Sequence, residues 1–507
     1  MLTELLAGFA TALTPENFLA VLAGTLIGII VGAVPGLDAS VGTALVIPLT
    51  YGLTPIQAIN MLSGIYAGGV YGGQIPAILF RVPGASEAVM TTLDGYPMAQ
   101  RGEAGRALGL GLAASVLGGL FGAAVMILLT PPLAELALEF GPAEYFALAV
   151  LGLTAISSLG TRNQGKATIA GLAGMLIATV GIDPITGISR LTFGSPALLG
   201  GVSFIPVVIG LFAAAEVYNQ VRARVGSPAG EEAAGARRVR VELPRLRELW
   251  PLRWIMTRAA VVGTWIGILP GVGATTAAIV GYAQAVRFSR HPERYGTGIP
   301  EGIVAPETAN NAAASGAMIP LLALGIPGSA TTAIMVGAFL LHGLKLGPLF
   351  LQQQRPLAFA IFAGVVLANL IFFAAGLLAV RPFARLLRFP YPFLAANILA
   401  FAAVGAAALG DVYGMKVMFL FAILGFLMET LGFPVAPMVL GYVLGPIAET
   451  SLRRALLIAD FDILGILMRP ITAGLLLLAL ASAVYPLFRS WRLSGSTRTT
   501  SEGVADA

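Results

Sequence analysis

The chain has 507 residues, of which 57% are hydrophobic and 11% charged, and its mean hydropathy is +0.87. A soluble fold of this size must show much of its surface to water, so the composition excludes one and specifies a polytopic α-helical membrane protein. The lack of cysteine excludes disulfides and thiolate metal sites, and the net charge of +5 reads as an orientation signal for loops rather than a nucleic-acid surface.

Residues 1–17 carry Glu4 and Glu16 but no Lys or Arg. No basic leader or cleavage site precedes the first apolar segment, which is therefore read as retained. Apolar segments follow near 18–34, 40–50, 57–80, 107–130, 144–160, 168–181 and 197–216. They form a first half, residues 1–216. Residues 217–258 are polar and hold Arg222, Arg224, Arg237, Arg238, Arg240, Arg245, Arg247, Arg253 and Arg258, which reads as a solvated connecting loop. The second half, 259–488, has apolar segments near 259–286, 303–325, 329–343, 357–380, 392–410, 415–431, 434–448 and 470–488. Residues 489–507 form a polar tail rich in Ser and Thr, expected to be disordered. The sequence predicts roughly eleven to thirteen membrane segments of about 20 residues each, some shortened by breaks. Period-2 alternation, the mark of a membrane barrel, is missing.

Two stretches organise the rest. From Gly28 the chain reads G-I-I-V-G-A-V-P-G-L-D-A-S, and from Ile75 it reads I-P-A-I-L-F-R-V-P-G-A-S. From Gly263 it reads G-T-W-I-G-I-L-P-G-V-G-A-T, and from Ile319 it reads I-P-L-L-A-L-G-I-P-G-S-A. Both halves thus carry two Pro-Gly breaks in the same order. Interrupted apolar segments at matching places in two halves point to a transporter's binding site. Gly and Pro are also common in membrane helices, but that does not explain the matched order.

The Arg-rich stretch 217–258 and the tail, with Arg489, Arg492 and Arg498, are expected on the cytoplasmic side, and residues 1–17 outside. Counting back from that loop puts Arg162 and Lys166 inside, Glu135 and Glu139 outside, and Arg101 and Arg106 inside. Segment 18–34 then runs inward and 259–270 outward. The two signatures lie in oppositely directed copies, an inverted-topology repeat. Beyond Arg294 the parity is open, because 303–343 is either two spans or one re-entrant hairpin.

A break in lipid is tolerated only inside protein or beside water, and the half-helix after it starts with free N–H groups and a positive dipole end. That is an anion site. Gly36, Leu37, Ser40, Gly84 and Ser86 in the first half are candidate substrate ligands. Gly271, Gly273, Thr275, Thr276, Gly328, Ser329, Thr331 and Thr332 are their counterparts in the second. The hydroxyls among them are equally suited to capping. Facing carbonyl ends suit Na⁺ or a proton-carrying water.

The stretches G-A-V-P-G-L from Gly32, Y-G-G-Q-I-P-A-I-L from Tyr71 and D-G-Y-P-M-A-Q-R-G-E-A-G-R-A-L-G from Asp94 carry a family likeness. So do D-P-I-T-G-I-S-R-L-T-F-G from Asp183, A-P-E-T-A-N-N-A-A-A-S-G-A from Ala305 and L-G-I-P-G-S-A-T-T-A from Leu324. Together they resemble the large permease subunit of tripartite tricarboxylate transporters, over about Gly24 to Pro470. The resemblance implies import of a di- or tricarboxylate through the cytoplasmic membrane, driven by a Na⁺ or H⁺ gradient. It implies an extracytoplasmic binding protein and a small membrane subunit as partners, and no cofactor beyond the coupling ion. The chain departs from the family at Asp38, where P-G-L-G is usual, and at Arg81 and Ala85, where N-I-P-G-T is usual.

Ionisable residues inside membrane segments are functional candidates. Asp38 suits a cation or a helix cap. Arg81 suits a substrate carboxylate, the membrane interface, or Asp94. Asn310 and Asn311 suit substrate, and Asn310 also a cation; helix packing is the rival role. Glu307 suits a cap. Asp94, Arg101, Glu103 and Arg106 read as a structural turn. Asp411 and Glu429 have no assigned role, and neither His291 nor His342 looks catalytic. The stretch G-T-R-N-Q-G-K-A from Gly160 fails as a phosphate loop, because Ala167 replaces the required hydroxyl. An intramembrane protease lacks its motifs, and a passive channel does not need inverted broken repeats.

Overall fold

A computed structural model describes residues 1–159, 164–224, 240–386 and 391–498. The first half runs α1 (Leu2–Ala12), α2 (Pro15–Ala33), α3 (Ala39–Val46), α4 (Pro55–Gly72), α5 (Gln74–Phe80), α6 (Thr91–Met98), α7 (Ala104–Ala137), α8 (Pro142–Leu159) and α9 (Gln164–Ala178). A hairpin, β1 (Gly181–Ile182) and β2 (Ser189–Arg190), leads to α10 (Phe204–Val208) and α11 (Ala215–Arg224). The second half runs α12 (Leu246–Leu249), α13 (Arg253–Ile268), α14 (Gly273–Arg287), α15 (Pro300–Gly316), α16 (Met318–Leu324), α17 (Ala330–Leu341) and α18 (Pro348–Gln353). It ends with α19 (Arg355–Leu386), α20 (Tyr391–Thr430), α21 (Val435–Ile458), α22 (Ile463–Leu467) and α23 (Pro470–Arg498).

Among the described residues, six helical stretches are long and apolar enough to cross a membrane: Pro15–Ala33, Thr91–Ala137, Phe204–Arg222, Arg355–Leu378, Val412–Thr430 and Val435–Ile458. Shorter apolar helices pack among them, several ending at the breaks. The protein is an all-α multi-pass membrane protein.

Glycines set the helix crossings. A Cβ at Gly24, Gly28 or Gly32 of α2 would strike the backbone of Met61, Ile65 or Gly69 on α4. Gly263 and Gly267 of α13 meet Ala309 and Ala313 of α15 in the same way. Gly72 abuts the Ile29 carbonyl, and Gly316 the Thr264 carbonyl. Small residues four apart let membrane helices touch backbone to backbone, and both halves use the device at matching positions. Around these pairs, α7 packs on α15 and α19 on α4.

Several elements differ from the sequence expectation. The stretch 217–258 is helical at both edges, through Arg224 and again from Leu246, because its arginines alternate with apolar residues that continue the neighbouring helices. Its centre, with Arg237 and Arg238, lies outside the described residues, as do 160–163 of the failed phosphate loop and the end of the tail. The tail is helical through Arg498. The N-terminal stretch forms α1, where Glu4 pairs with Arg355 at 2.5 Å. In α20, Gly414 packs against the Ala406 carbonyl. A straight helix would separate them by about 12 Å, so α20 is not straight between them.

The hairpin is tied to α21 by alternating charges. Arg453 reaches Asp183 at 2.8 Å and Glu449 at 3.2 Å, and Arg190 reaches Glu449 at 2.5 Å. The Ile185 N–H, then the Thr186 hydroxyl and Arg453, hold the Asp183 carboxyl well below the usual carboxylate range. A lowered folded pKa adds stability that is present above the ordinary value of about 3.9 and lost as pH falls through the folded value. Amide exchange in the hairpin, corrected for intrinsic rate, should therefore quicken as pH falls below about 4. Asp183→Asn should flatten that dependence; an unchanged slope would contradict it.

Candidate functional site

The first break follows α2. Val34 is extended, Gly36 has φ 88°, and Asp38 begins α3 as its cap. The Asp38 carboxylate accepts from Ser40 N at 2.9 Å, from Val41 N at 3.1 Å and from the Ser40 hydroxyl. The capping role of Asp38 is therefore realised, and Ser40 is spent on it. The second break follows α5. Arg81 takes left-handed backbone with φ 60°, and Gly84 crosses beneath the first break. Gly36 N donates to Gly84 O at 3.1 Å, and Gly84 N to Gly73 O at 3.0 Å. A Cβ on Gly84 would strike the Gly32 carbonyl, so two breaks share one crossing point.

The second half repeats this geometry. Gly271 and Gly273 have φ 75° and 73° before α14. Gly328 lies against the Gly267 carbonyl as Gly84 lies against Gly32. Ser329 and Thr332 form a capping box at the start of α17, with Thr332 N donating to Ser329 Oγ at 3.2 Å and Ser329 N to Thr332 Oγ1 at 2.8 Å. Thr276 bonds back to Val272 O at 3.1 Å.

The halves then exchange contacts. Ser86 at the first half's second break meets Thr275 at the second half's first break, oxygen to oxygen at 2.8 Å. In return α3 packs on α17. Tyr66 of α4 donates to Ser329 at 3.0 Å, and Asn310 of α15 donates to Glu87 O at 3.2 Å. Ala39 and Ala274, in the first turns of the helices after each first break, belong to one buried cluster with Tyr66 and Val70. All four breaks thus surround one region.

Carboxylates gather there. Glu87 is 7% exposed, beside Ser86 Oγ at 3.3 Å, with Asp38 and Glu307 as acidic neighbours. Glu307 is fully buried in α15. It accepts from Thr91 at 2.5 Å, Ser115 at 3.2 Å and Asn310 at 3.4 Å. Gln74 donates on to Ser115 at 3.1 Å. Asn311 Nδ2 donates to Asn310 Oδ1 at 2.8 Å and Glu307 O at 3.0 Å. On the other side of Gly36, Glu216 and Gln220 of α11 occupy the space a Cβ would need, and Glu429 is bonded to Asn219.

Of the sequence candidates, Gly36, Ser40, Gly84, Ser86, Gly273, Thr275, Asn310, Gly328, Ser329, Thr331 and Thr332 lie on the elements that meet here. Leu37 instead packs in an apolar cluster with Val217 and Met418. Arg81 is exposed, its guanidinium 5.9 Å from the Tyr96 ring centroid. It does not pair with Asp94. That carboxylate is buried and accepts from Tyr282 at 2.9 Å, Gly296 N at 3.0 Å, Gly298 N at 2.8 Å and Ile299 N at 3.0 Å. Sequence reasoning missed Tyr66, Glu87, Ser115 and Glu216. The signal for Glu87 was an acid three residues past Pro-Gly; Glu216 was hidden at the edge of a polar stretch. Among the described residues, no group of three or more acids or histidines is arranged to hold a metal. A lateral cavity of about 620 Å³, lined by Leu153, Ala167, Leu172 and Met175, involves none of these residues.

Broken helices meeting inside an all-α membrane core are the architecture of a transporter-type protein. The chain belongs to the tripartite tricarboxylate transporter TctA family, whose model matches residues 18–440. It is a subunit of a tricarboxylate transporter, the membrane component of a tripartite system. It is similar to an "Uncharacterized 52.8 kDa protein in TAR-I ttuC' 3'region" of Agrobacterium vitis, 38% identical over 97% of both chains. It is also similar to an "Uncharacterized protein in TAR-II ttuC' 3'region" of the same organism, 37% identical over 45% of this chain and 96% of the relative. No solved structure matches the chain.

Proposed function

We propose that the four breaks form one binding site for a di- or tricarboxylate, taken up through the cytoplasmic membrane by symport with Na⁺ or H⁺. The two halves act as an inverted-topology repeat, with the 217–258 stretch and the tail inside and residues 1–17 outside. An extracytoplasmic binding protein delivers the substrate, and a small membrane subunit completes the assembly. The observation that carries this reading is the reciprocal contact between halves: Ser86 on Thr275, and α3 on α17. It sets the start of α14, which carries no side-chain cap, beside Ser86, where its first-turn N–H groups suit an anion.

The acids argue for symport. A carboxylate held beside Asp38 and Glu87 meets like charge, which disfavours binding unless a cation or proton enters too. The test is uptake of labelled di- and tricarboxylates by the complete assembly in proteoliposomes with imposed ion gradients. Uptake that follows the gradient without nucleotide supports the reading; strict ATP dependence contradicts it. Ser86→Ala, Thr275→Val and Thr331→Val should each raise KM about three- to tenfold, the worth of one hydrogen bond, with kcat little changed. Unchanged KM in all three would remove these hydroxyls from the site.

A further inference from the structure

A second polar region adjoins the carboxylates, where α4 and α15 meet α19. Ser63, Tyr66, Asn311, Ser315 and Asn369 line a cavity of about 10 Å³, together with Ala67, Ala314, Met318 and Val365. Each of the five polar residues is at most 4% exposed. That space is the size of a single water-sized particle.

The three hydroxyls, both N–H groups of Asn311 and one of the two of Asn369 donate elsewhere. Ser63 Oγ donates to Ile59 O at 2.8 Å, and Ser315 Oγ to Gly119 O at 3.0 Å. Tyr66 OH donates to Ser329 at 3.0 Å. Asn369 Nδ2 donates to Val365 O at 2.8 Å. Asn311 Nδ2 has two oxygen acceptors, Asn310 Oδ1 and Glu307 O, which fix its amide orientation. With those protons spent, the side-chain oxygens are left with lone pairs to offer. Neutral oxygens lining a space of this size suit a hard cation. Repeat symmetry sharpens the point. Ser63 of α4 occupies the position that Glu307 holds in α15, and there the carboxylate fills its own surroundings with bonds to Thr91, Ser115 and Asn310.

We infer that Ser63, Tyr66, Asn311, Ser315 and Asn369 form a Na⁺ site, and that the ion bound there is the one coupled to carboxylate uptake. This rests on the symport reading above. The site is tied to the substrate region through two residues: Tyr66 bonds the cap of α17, and Asn311 bonds Asn310 beside Glu87. Filling it orders both. The cavity's size favours Na⁺ over the larger K⁺.

Two readouts test it: the Na⁺ dependence of carboxylate uptake by the complete assembly, and the thermal stability of the purified full chain in sodium, potassium or choline chloride. Na⁺, and not K⁺ or choline, should raise Tm saturably and support uptake. Ser63→Ala and Ser315→Ala each remove one oxygen and keep the shape. Each should raise half-saturating Na⁺ at least about tenfold in both readouts, with uptake at saturating Na⁺ within about twofold of wild type. Thr130→Val removes an equally buried hydroxyl on α7, bonded to Met126 O, and should not shift it. If the assembly carries no carboxylate but Na⁺ still stabilises the chain with the shifted half-saturation, the site stands and the transport reading falls. If Na⁺ drives uptake with an unshifted half-saturation in both variants, or has no effect on wild type, the site is overturned and the cavity holds a structural water only.

Discussion

Gly84→Val and Gly328→Val should each reduce uptake more than a hundredfold. Both glycines sit where the second break of a half crosses the helix before the first. A Cβ on Gly84 would meet the Gly32 carbonyl, with Pro76 2.9 Å and Gly73 3.1 Å away; one on Gly328 would meet the Gly267 carbonyl, with Ala317 2.9 Å away. These are mostly backbone atoms, so no side-chain rotation relieves them. Overpacking of this kind costs about 1–3 kcal/mol or more, and the breaks must separate to relieve it. Separation would also stretch the Gly36 N to Gly84 O bond of 3.1 Å. Tm of the purified protein and uptake measured together check this. Wild-type uptake in either variant would show that the crossing is not needed.

Asp94→Ala should be the most destabilising single change among the charged residues, by about 4 kcal/mol. Its carboxylate collects the N–H groups of Gly296, Gly298 and Ile299 and the Tyr282 hydroxyl, and so pins the α14–α15 turn to α6. Arg101 clasps the same turn through Thr297 O at 2.5 Å and through Gly298 O. Charged hydrogen bonds contribute about 1.5–3 kcal/mol each, and several buried donors lose their acceptor at once. Asp94→Asn keeps the shape and should lose about half as much. A drop in Tm with faster exchange at residues 296–299 is expected; an unaltered Tm in the alanine variant would contradict the role.

How much of this was legible in the sequence depends on the range of the interaction. The breaks were legible because Pro-Gly acts on its own backbone: Gly36 and Gly271 need positive φ whatever surrounds them. The helical membrane class followed from composition for the same reason. Asp38 was readable as a cap, since its partners are two and three residues away. Asp94 was not readable beyond a structural turn, because its donors lie 188 to 205 residues on. Tyr66 carried no local signal, because its partner Ser329 lies 263 positions away. Arg81 stayed open between a carboxylate, the interface and Asp94; the fold sets it exposed beside the Tyr96 ring, with left-handed backbone. The 217–258 stretch reads as loop from its charge, although Ala215–Arg224 packs on α20.

The central claim is that substrate lies where the breaks of both halves converge. The absence of native cysteine makes substrate protection of single cysteines the most direct test. Cysteine replaces Ser86, Thr275 or Thr331 in turn, with Arg81→Cys as the outlying position, and thiol modification is timed in the reconstituted assembly. A transported carboxylate should slow modification at positions 86, 275 and 331 and leave position 81 unchanged. Protection confined to one half, or to position 81, would contradict a shared site.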